Sequence, residues 1–235
     1  MKYLKLIRFQ NLVAMALIQY LLRYSVLIPT YGKANVLGDI QFALLVLSML
    51  LIAAGGYVIN DYFDIQVDTE NQKEEVIVGR SIKRRVALML HILFTSSGVL
   101  LGFYIAYKVE FLVLGAIMAI SAYTLWQYSL RYKRRFFIGN FIIAKLSSIF
   151  VISVAAFEVL PKYQHESSTH TLLLLCIYAI FAFICSMMHE VIKDLRGAEG
   201  DAKFKIRTLP TVWGIDKTKE FVKWLSVLTA FMVIT

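Results

Sequence analysis

A row of oxygen-bearing side chains begins where the second long apolar run of the chain ends. Asn60, Asp64 and Asp68 follow one another at intervals of four residues, which places side chains on one face of a helix. Like charges at this spacing destabilise a helix by about 0.2–0.5 kcal/mol, and the edge of a bilayer adds a desolvation cost. A bound cation would relieve both. The row therefore favours a Mg²⁺ site, because Mg²⁺ takes oxygen ligands and combines one or two carboxylates with phosphate oxygens.

A second acidic cluster follows the sixth apolar run, in the segment HEVIKDLRGAEGDAKFKIRTLP (189–210). Gly197 and Gly200 are expected to end the helix there and begin a loop. Two carboxylate sets could hold two Mg²⁺ ions with a diphosphate between them, and neighbouring cations such as Lys193 would contact its phosphate oxygens. The acidic residues of this cluster are Glu190, Asp194, Glu199 and Asp201.

Solvated helix ends are the simpler explanation for each cluster taken alone. The first row could merely pair with Lys73 or Arg80. Two acidic clusters that both follow apolar runs, on one side of one membrane, make this explanation less favourable.

The composition indicates a membrane protein with several spans. The 235 residues are 59% hydrophobic and only 17% charged, with a mean hydropathy of +0.66, whereas soluble domains are about a quarter charged. A helix needs about 20 apolar residues to cross the bilayer. We predict one all-α domain over residues 1–235, a polytopic transmembrane helical bundle with six complete spans and a seventh that the C-terminus truncates. The apolar runs are 11–28, 40–60, 86–107, 111–130, 137–157 and 171–188, with the seventh beginning near Phe221.

The basic residues predict the orientation of these spans. The N-terminus and every second loop hold nineteen Lys and Arg residues together, and the alternate loops hold three. Basic residues concentrate on the cytoplasmic side of membrane proteins. We therefore expect a multi-pass protein of the cell (inner) membrane with a cytoplasmic N-terminus. The two long acidic loops, 61–85 and 189–220, would also be cytoplasmic. The net charge of +9 then faces anionic membrane lipids, and no nucleic-acid partner is expected.

A metal-bound diphosphate beside a membrane cavity suggests one shape of substrate, a polar diphosphate head on a long apolar tail. A polyprenyl diphosphate has this shape. The metal would stabilise the leaving diphosphate, and the apolar walls would keep water away from the allylic cation that develops.

Four segments together resemble the UbiA-type intramembrane prenyltransferases. NDYFDIQVD (60–68) matches the NDxxDxxxD motif of that family. KDLRGAEGD followed by RTLPTVWG (193–214) is similar to its second acidic motif and the basic-Thr-Leu-Pro segment behind it. RFQN (8–11) resembles the RPxN signature of the first helix, and IGN (138–140) after YKRR (132–135) resembles the segment before the fifth. The resemblance covers essentially the whole chain in the right order.

The resemblance implies a bundle of usually nine transmembrane helices around a central cavity, with the motif loops on the cytoplasmic side. It implies Mg²⁺-dependent transfer of a prenyl group from its diphosphate to an acceptor. By motif position, the catalytic and metal-binding residues would be Asn60, Asp64 and Asp68 in the first set and Asp194 and Asp201 in the second. The implied diphosphate contacts are Arg8, Asn11, Lys133 and Arg134, beside Asn60 and Lys193.

Three positions depart from the family pattern. Gly197 stands where an acidic residue is expected, Lys205 where relatives tend to have glycine, and Phe9 where proline is usual. The second metal site therefore has fewer predicted ligands than the first, and Glu199 is the nearest candidate to supply the missing carboxylate.

The acceptor is less closely defined. The pattern KD…EGD…TLP is most similar to the branch that alkylates geranylgeranylglyceryl phosphate, a lipid acceptor. The branches for quinones, with aromatic acceptors such as 4-hydroxybenzoate or dihydroxynaphthoate, and those for haem and chlorophyll remain open.

Two functions of other classes compete with a prenyltransferase. An ion or metal transporter would carry its carboxylates near the middle of the bilayer, whereas both clusters here lie at the ends of spans. A phosphotransferase acting on CDP-alcohols needs a compact DGxxAR-type run, which the sequence lacks.

Three further polar residues have two interpretations each. Lys145 falls inside the fifth span, where it is either functional or extends its ammonium group to the interface. His91 is expected to be a hydrogen-bonded packing residue. His189 could act as a base, but a structural role at a helix end is favoured.

Overall fold

The computed structural model describes residues 1–32, 37–70, 76–162 and 167–234, and this part of the chain is almost entirely helical. A few side chains within these ranges, including that of Asp68, lie outside the description. The helices are α1 Lys2–Leu6, α2 Phe9–Leu22, α3 Ile28–Tyr31, α4 Asp39–Glu70, α5 Arg84–Lys108, α6 Val113–Gln127, α7 Ile138–Val159, α8 Ser167–Lys203, α9 Leu209–Trp213 and α10 Ile215–Ile234.

Within the described residues, six helical segments are long and apolar enough to cross a membrane. They are Phe9–Tyr31, Asp39–Ile65, Arg84–Lys108, Val113–Tyr132, Ile138–Glu158 and Leu173–Lys203. Each span overlaps one of the six predicted apolar runs, with starts that agree to within two residues, so the prediction of an all-α multi-span bundle is confirmed. The predicted seventh run falls within α10.

Both acidic motifs lie on helices that continue beyond the apolar runs. Helix α4 extends to Glu70, as the four-residue spacing of the first motif predicts. The expectation of a helix break at Gly197 and Gly200 is wrong, because α8 runs through both residues to Lys203. The segment 189–220 is thus largely helical, and the first ten residues of 61–85 belong to α4, so both acidic motifs lie on helices.

Small residues let α4 and α5 approach closely. A side chain at Gly98 would place its Cβ 2.8 Å from the backbone oxygen of Ser48, closer than real Cβ atoms come. The Ser48 hydroxyl donates to the Gly98 carbonyl at 2.6 Å, and Nδ1 of His91 lies 3.0 Å from the Gly55 carbonyl. Close contact of this kind stabilises helix pairs where no hydrophobic effect acts between them. The interpretation of His91 as a hydrogen-bonded packing residue agrees with this contact.

A charged cluster joins three spans at the end of the bundle opposite the acidic motifs. Arg23 is 1% exposed, and its guanidinium donates to the Leu37 carbonyl at 2.5 Å and to Asp39 at 3.1 Å. It lies 3.5 Å from Glu158 at the end of α7, and its Cζ is 4.2 Å from the centre of the Phe42 ring. The cluster fixes the first span against α4 and α7.

Candidate active site

One cavity of about 1040 Å³ opens between the spans, and both acidic motifs lie at it. Its walls come from α2, α4, α6, α7 and α8, with apolar side chains such as Met15, Met49 and Phe150 along much of the lining. The charged lining residues are Arg8, Asp61, Asp64, Lys133, Arg134, Glu190, Lys193, Asp194, Arg196 and Asp201. The arrangement suits a ligand with a charged head and an apolar tail.

The first motif meets the basic segment after α6. Helix α4 carries Asn60 and Asp64 on one face, and the Asn60 amide donates to Asp64 at 2.9 Å. The ammonium of Lys133 donates to the Asn60 carbonyl oxygen at 3.1 Å and also to the Asp64 carboxylate. Asp64 is buried although it is charged, and a buried carboxylate requires such partners. Asp68 is two helical turns beyond Asn60 along α4.

An irregular turn delivers Lys133 to this position. Tyr128–Tyr132 forms a π-helical turn at the end of α6, and the Lys133 amide donates to the Tyr128 carbonyl at 2.9 Å. Such turns are frequent at functional sites. The next residue, Arg134, donates to the Phe63 carbonyl at 3.4 Å. The turn therefore brings two predicted diphosphate contacts against the first motif.

Arg8 approaches the first motif from the N-terminal side. It adopts a left-handed conformation, φ 51°, between α1 and α2. Its guanidinium lies 3.3 Å from Asp61, and its Cζ is 4.8 Å from the centre of the Tyr57 ring. Asn11, one turn further along, also lines the cavity. Non-glycine residues are uncommon in this conformation and often mark functional positions.

The second motif lies across the cavity on α8. Asp194 and Asp201 are separated by about two helical turns, so they share a face, and both line the cavity. The buried amide of Asn140, in the first turn of α7, donates to Asp194 at 2.7 Å. Phe137, the residue before α7, has φ 61°. The hydrogen bond from Asn140 fixes one carboxylate oxygen of Asp194.

A third acidic residue of α8, Glu190, also lines the cavity. Glu190 is buried, accepts a hydrogen bond from the Tyr128 hydroxyl at 3.4 Å and forms an ion pair with Lys193. His189 also lines the cavity with an exposed side chain. The polar side chains that line the cavity, from Arg8 beside the first motif to Asp201 in the second, form its polar rim.

Other predicted residues lie elsewhere. Glu199 is exposed and does not line the cavity, so the structure does not bring it to Asp194 and Asp201. Lys145 is exposed on α7 and also lies outside the cavity lining. This position agrees with the interpretation that Lys145 extends its ammonium group toward the interface.

The donor chemistry of the rim fits Mg²⁺. Its carboxylate and amide oxygens come from two opposed helices. Within the described part of the chain, no three His, Cys, Asp or Glu side chains gather closely enough to hold an ion by themselves. Mg²⁺ does not require such a group, because it typically combines one or two carboxylates with substrate phosphates and water. The residues therefore fit an ion that arrives with a phosphate-bearing ligand.

Some residues of the rim were not predicted as site residues. Tyr128 and Ser129 belong to the π-helical turn, which hydrophobic periodicity does not reveal. Asn140 was noted only within the IGN segment, and its contact with Asp194 joins positions 54 residues apart. A polar residue directly after Gly139, at the start of an apolar run, was the signal available.

The fold and the cavity define a membrane-embedded enzyme of the prenyltransferase type, and comparison with known proteins agrees. The model of the UbiA prenyltransferase family matches residues 14–235. The chain belongs to this family, and the predictions of family and enzyme class are confirmed.

Named relatives and solved structures show which members of the family the chain is similar to. A digeranylgeranylglyceryl phosphate synthase of Saccharolobus solfataricus is 30% identical over 96% of this chain and 73% of the relative. The synthase of Thermococcus sibiricus is 28% identical over 79% of this chain and 61% of the relative, so the chain spans less than two thirds of that protein. A solved structure concerned with digeranylgeranylglyceryl phosphate synthase in membranes is 26% identical, with a TM-score of 0.66, over 98% of this chain and 75% of that one. A UbiA homolog from Archaeoglobus fulgidus, solved with DMAPP and Mg²⁺, shares the fold with a TM-score of 0.67 at 20% identity, over 99% of this chain and 76% of that one.

Proposed function

We propose that the chain transfers a geranylgeranyl group from its diphosphate to the free hydroxyl of geranylgeranylglyceryl phosphate, with Mg²⁺. The observation that carries the proposal is the meeting of two carboxylate sets and several cations at one apolar cavity. The relatives named as digeranylgeranylglyceryl phosphate synthases support this acceptor. The homolog solved with DMAPP and Mg²⁺ supports the donor class and the cofactor.

The carboxylates divide into two holding sets. Asn60 and Asp64 would hold one ion through oxygens that already converge in the structure, and Asp68 stays a predicted member of this set. Asp194 and Asp201 would hold a second from α8. When bound, Mg²⁺ supplies the positive charge that stabilises the departing diphosphate.

The cations of the rim would bind the diphosphate oxygens directly. Arg8, Lys133 and Arg134 lie on the side of the first motif, and Lys193 on the side of the second. Charge-assisted hydrogen bonds to phosphate are about twice as strong as neutral ones. Asn11 adds a neutral amide beside Arg8. Each cation contacts a carboxylate or carbonyl in the structure, and further N–H groups of the same side chains would donate to the diphosphate oxygens.

The apolar part of the cavity would take the prenyl chain. Along α7 the lining extends from Asn140 at the rim to Ser153, a rise of about 20 Å. This is about two thirds of the hydrocarbon core of a bilayer, about 30 Å. Walls of Met, Ile, Phe and Val side chains would exclude water, so that the allylic cation reacts with the acceptor before it is hydrolysed.

An acceptor competition tests the proposal. Purified protein in lipid nanodiscs would receive radiolabelled geranylgeranyl diphosphate, Mg²⁺ and either geranylgeranylglyceryl phosphate or 4-hydroxybenzoate. We expect a labelled diether product with the first acceptor, loss of activity with EDTA, and recovery with Mg²⁺. Arg135→Gln is the matched control, because Arg135 is exposed and lies outside the cavity lining. Product with the aromatic acceptor alone would assign the quinone branch instead, and no product with either acceptor would refute the assignment.

The proposal includes sidedness, with both acidic motifs facing the cytoplasm in the inner membrane. The positive-inside pattern supports this orientation. Single cysteines at Gln72 and Ala202, in a background without Cys176 and Cys185, would be labelled from one face of oriented vesicles. Gln72 lies outside the described residues, and Ala202 is exposed near the end of α8. Labelling from opposite faces would refute a single site built from both motifs.

A further inference from the structure

The ammonium group of Lys133 lies where the oxygen donors of the first motif converge. It donates to the Asn60 carbonyl oxygen at 3.1 Å and to Oδ2 of Asp64. The same Oδ2 accepts the Asn60 amide at 2.9 Å. The carbonyl and carboxylate oxygens that would ligate a metal are thus already turned toward one positive charge.

A divalent ion at this position would compete with the ammonium for the same oxygens. Mg²⁺ requires oxygen ligands at about 2.0–2.1 Å, whereas a charged hydrogen bond places nitrogen at about 2.7–2.9 Å. The two cations would be nearly in contact and would repel each other. Metal binding at Asn60 and Asp64 therefore requires that Lys133 move away.

The Lys133 ammonium can leave Asp64 through the cavity, and an anionic ligand bound there can accept it. Its side chain is 26% exposed and lines the cavity, and a lysine carries its charge on four rotatable carbons. Leaving Asp64 without another partner would place an uncompensated charge in a buried position, which is costly. An anionic group in the cavity would receive the ammonium while the metal replaces it at Asp64.

We propose that Lys133 makes metal binding at the first motif conditional on the diphosphate. Without substrate, Lys133 occupies the cation position between Asn60 and Asp64. When metal and diphosphate arrive together, the ammonium transfers to the diphosphate oxygens. This inference rests on the proposed function and adds a consequence to it. Metal and diphosphate strengthen each other's binding by the same factor, as thermodynamic linkage requires.

The second motif provides an internal contrast. Asp194 accepts its short hydrogen bond from the neutral amide of Asn140, which brings no competing charge. The ammonium of Lys193, the basic neighbour, pairs with Glu190. The hydrogen bond that Asp194 accepts from a neutral amide therefore differs from the contact of Asp64 with the Lys133 ammonium, and the inference is confined to the first motif.

The test measures binding of Mn²⁺, used in place of Mg²⁺, by electron paramagnetic resonance. Protein in nanodiscs would be titrated with Mn²⁺ in the presence and absence of inorganic diphosphate. For the unmodified chain we expect diphosphate to tighten Mn²⁺ binding by about tenfold or more, within the usual range of coupling between sites. In Lys133→Met we expect Mn²⁺ without diphosphate to bind at least about tenfold more tightly than in the unmodified chain, with most of the coupling lost.

Two variants make the result specific. Arg135→Gln removes one positive charge two residues away, where the guanidinium lies against the Tyr132 ring and not at the carboxylates, and it should leave both titrations unchanged. Adding Asp64→Asn to Lys133→Met should abolish the gained affinity, because Asp64 supplies the carboxylate. If Lys133→Met does not fold, Lys133→Gln provides the same comparison with a neutral hydrogen-bond donor.

The outcomes separate this inference from the proposed function. Mn²⁺ affinity in Lys133→Met no higher than in Arg135→Gln would overturn the inference, while prenyl transfer by the unmodified chain would leave the function standing. An unmodified chain that binds no Mn²⁺ even with diphosphate would overturn both.

Discussion

Gly197 is a position where a carboxylate can be added to the second acidic set without strain. The residue lies within α8 and is absent from the positive-φ glycines of the described chain. A Cβ at this position would lie 3.9 Å from Oδ2 of Asp201, which is ordinary van der Waals contact. Gly197 also lines the cavity. The position therefore does not require glycine, and Gly197→Asp should fold.

The expected magnitudes follow from the helix. Gly197→Ala should stabilise the protein by about 0.8–1.0 kcal/mol, the difference in helix propensity. Gly197→Asp gains less from propensity, and its charge lies three residues from Asp194 and four from Asp201. Each like-charge pair costs about 0.2–0.5 kcal/mol. The two effects nearly cancel, so without divalent ions the stability of Gly197→Asp should lie within about 0.5 kcal/mol of the unmodified chain.

The carboxylate added in Gly197→Asp should strengthen Mg²⁺ binding. If the new side chain contributes about 0.7 kcal/mol to ion binding, the Mg²⁺ concentration for half-maximal transfer falls about threefold. The assay combines thermal unfolding in nanodiscs with and without Mg²⁺ and activity titrated against Mg²⁺. Gly197→Ala is the matched control, since it changes propensity and adds no charge. Loss of more than about 1 kcal/mol in both variants would refute the helical assignment, and identical Mg²⁺ curves would refute a metal role for this face.

The same titration examines Glu199, which was predicted to replace the missing acid. Its side chain is exposed and lies outside the cavity lining. A raised Mg²⁺ requirement in Glu199→Gln would place its carboxylate at the ion. An unchanged curve would remove it from the site.

Three further predictions concern contacts seen in the structure. Asp64→Asn should lower turnover by at least about tenfold, or 1.4 kcal/mol of barrier, with an unfolding temperature close to that of the unmodified chain; turnover above a tenth would exclude Asp64 as a principal ligand. Asn140→Ala should weaken the Mn²⁺ affinity of the second set by about 10–100-fold, as loss of an orienting partner does, and an unchanged affinity would show that its bond to Asp194 is only structural. Arg23→Met should destabilise the protein by about 3–5 kcal/mol in unfolding assays, because it leaves buried Glu158 without this cation. Adding Glu158→Leu to Arg23→Met should recover part of the lost stability. A double variant less stable than Arg23→Met alone would contradict the ion-pair explanation.

The sequence alone determined the architecture and most of the chemistry. The length of an apolar run sets where a helix can cross the bilayer, so all six spans were predicted. The four-residue spacing from Asn60 to Asp68 fixes a helix face wherever the helix packs. Local patterns of this kind suffice because water is absent from the bilayer core, and the backbone must form its hydrogen bonds within each helix.

Only the tertiary structure decided which residues meet. Asn140 and Asp194 lie on different helices, and no periodicity joins them. The contact of Lys133 with the first motif depends on a π-helical turn, which moves the lysine out of the regular register. The helix through Gly197 was missed because two glycines predict a break, although each glycine costs a helix only about 1 kcal/mol and α8 as a whole packs against α7 and α10. Spacing specified what each helix face carries, and the packing of the faces determined that Lys133 occupies the cation position between Asn60 and Asp64.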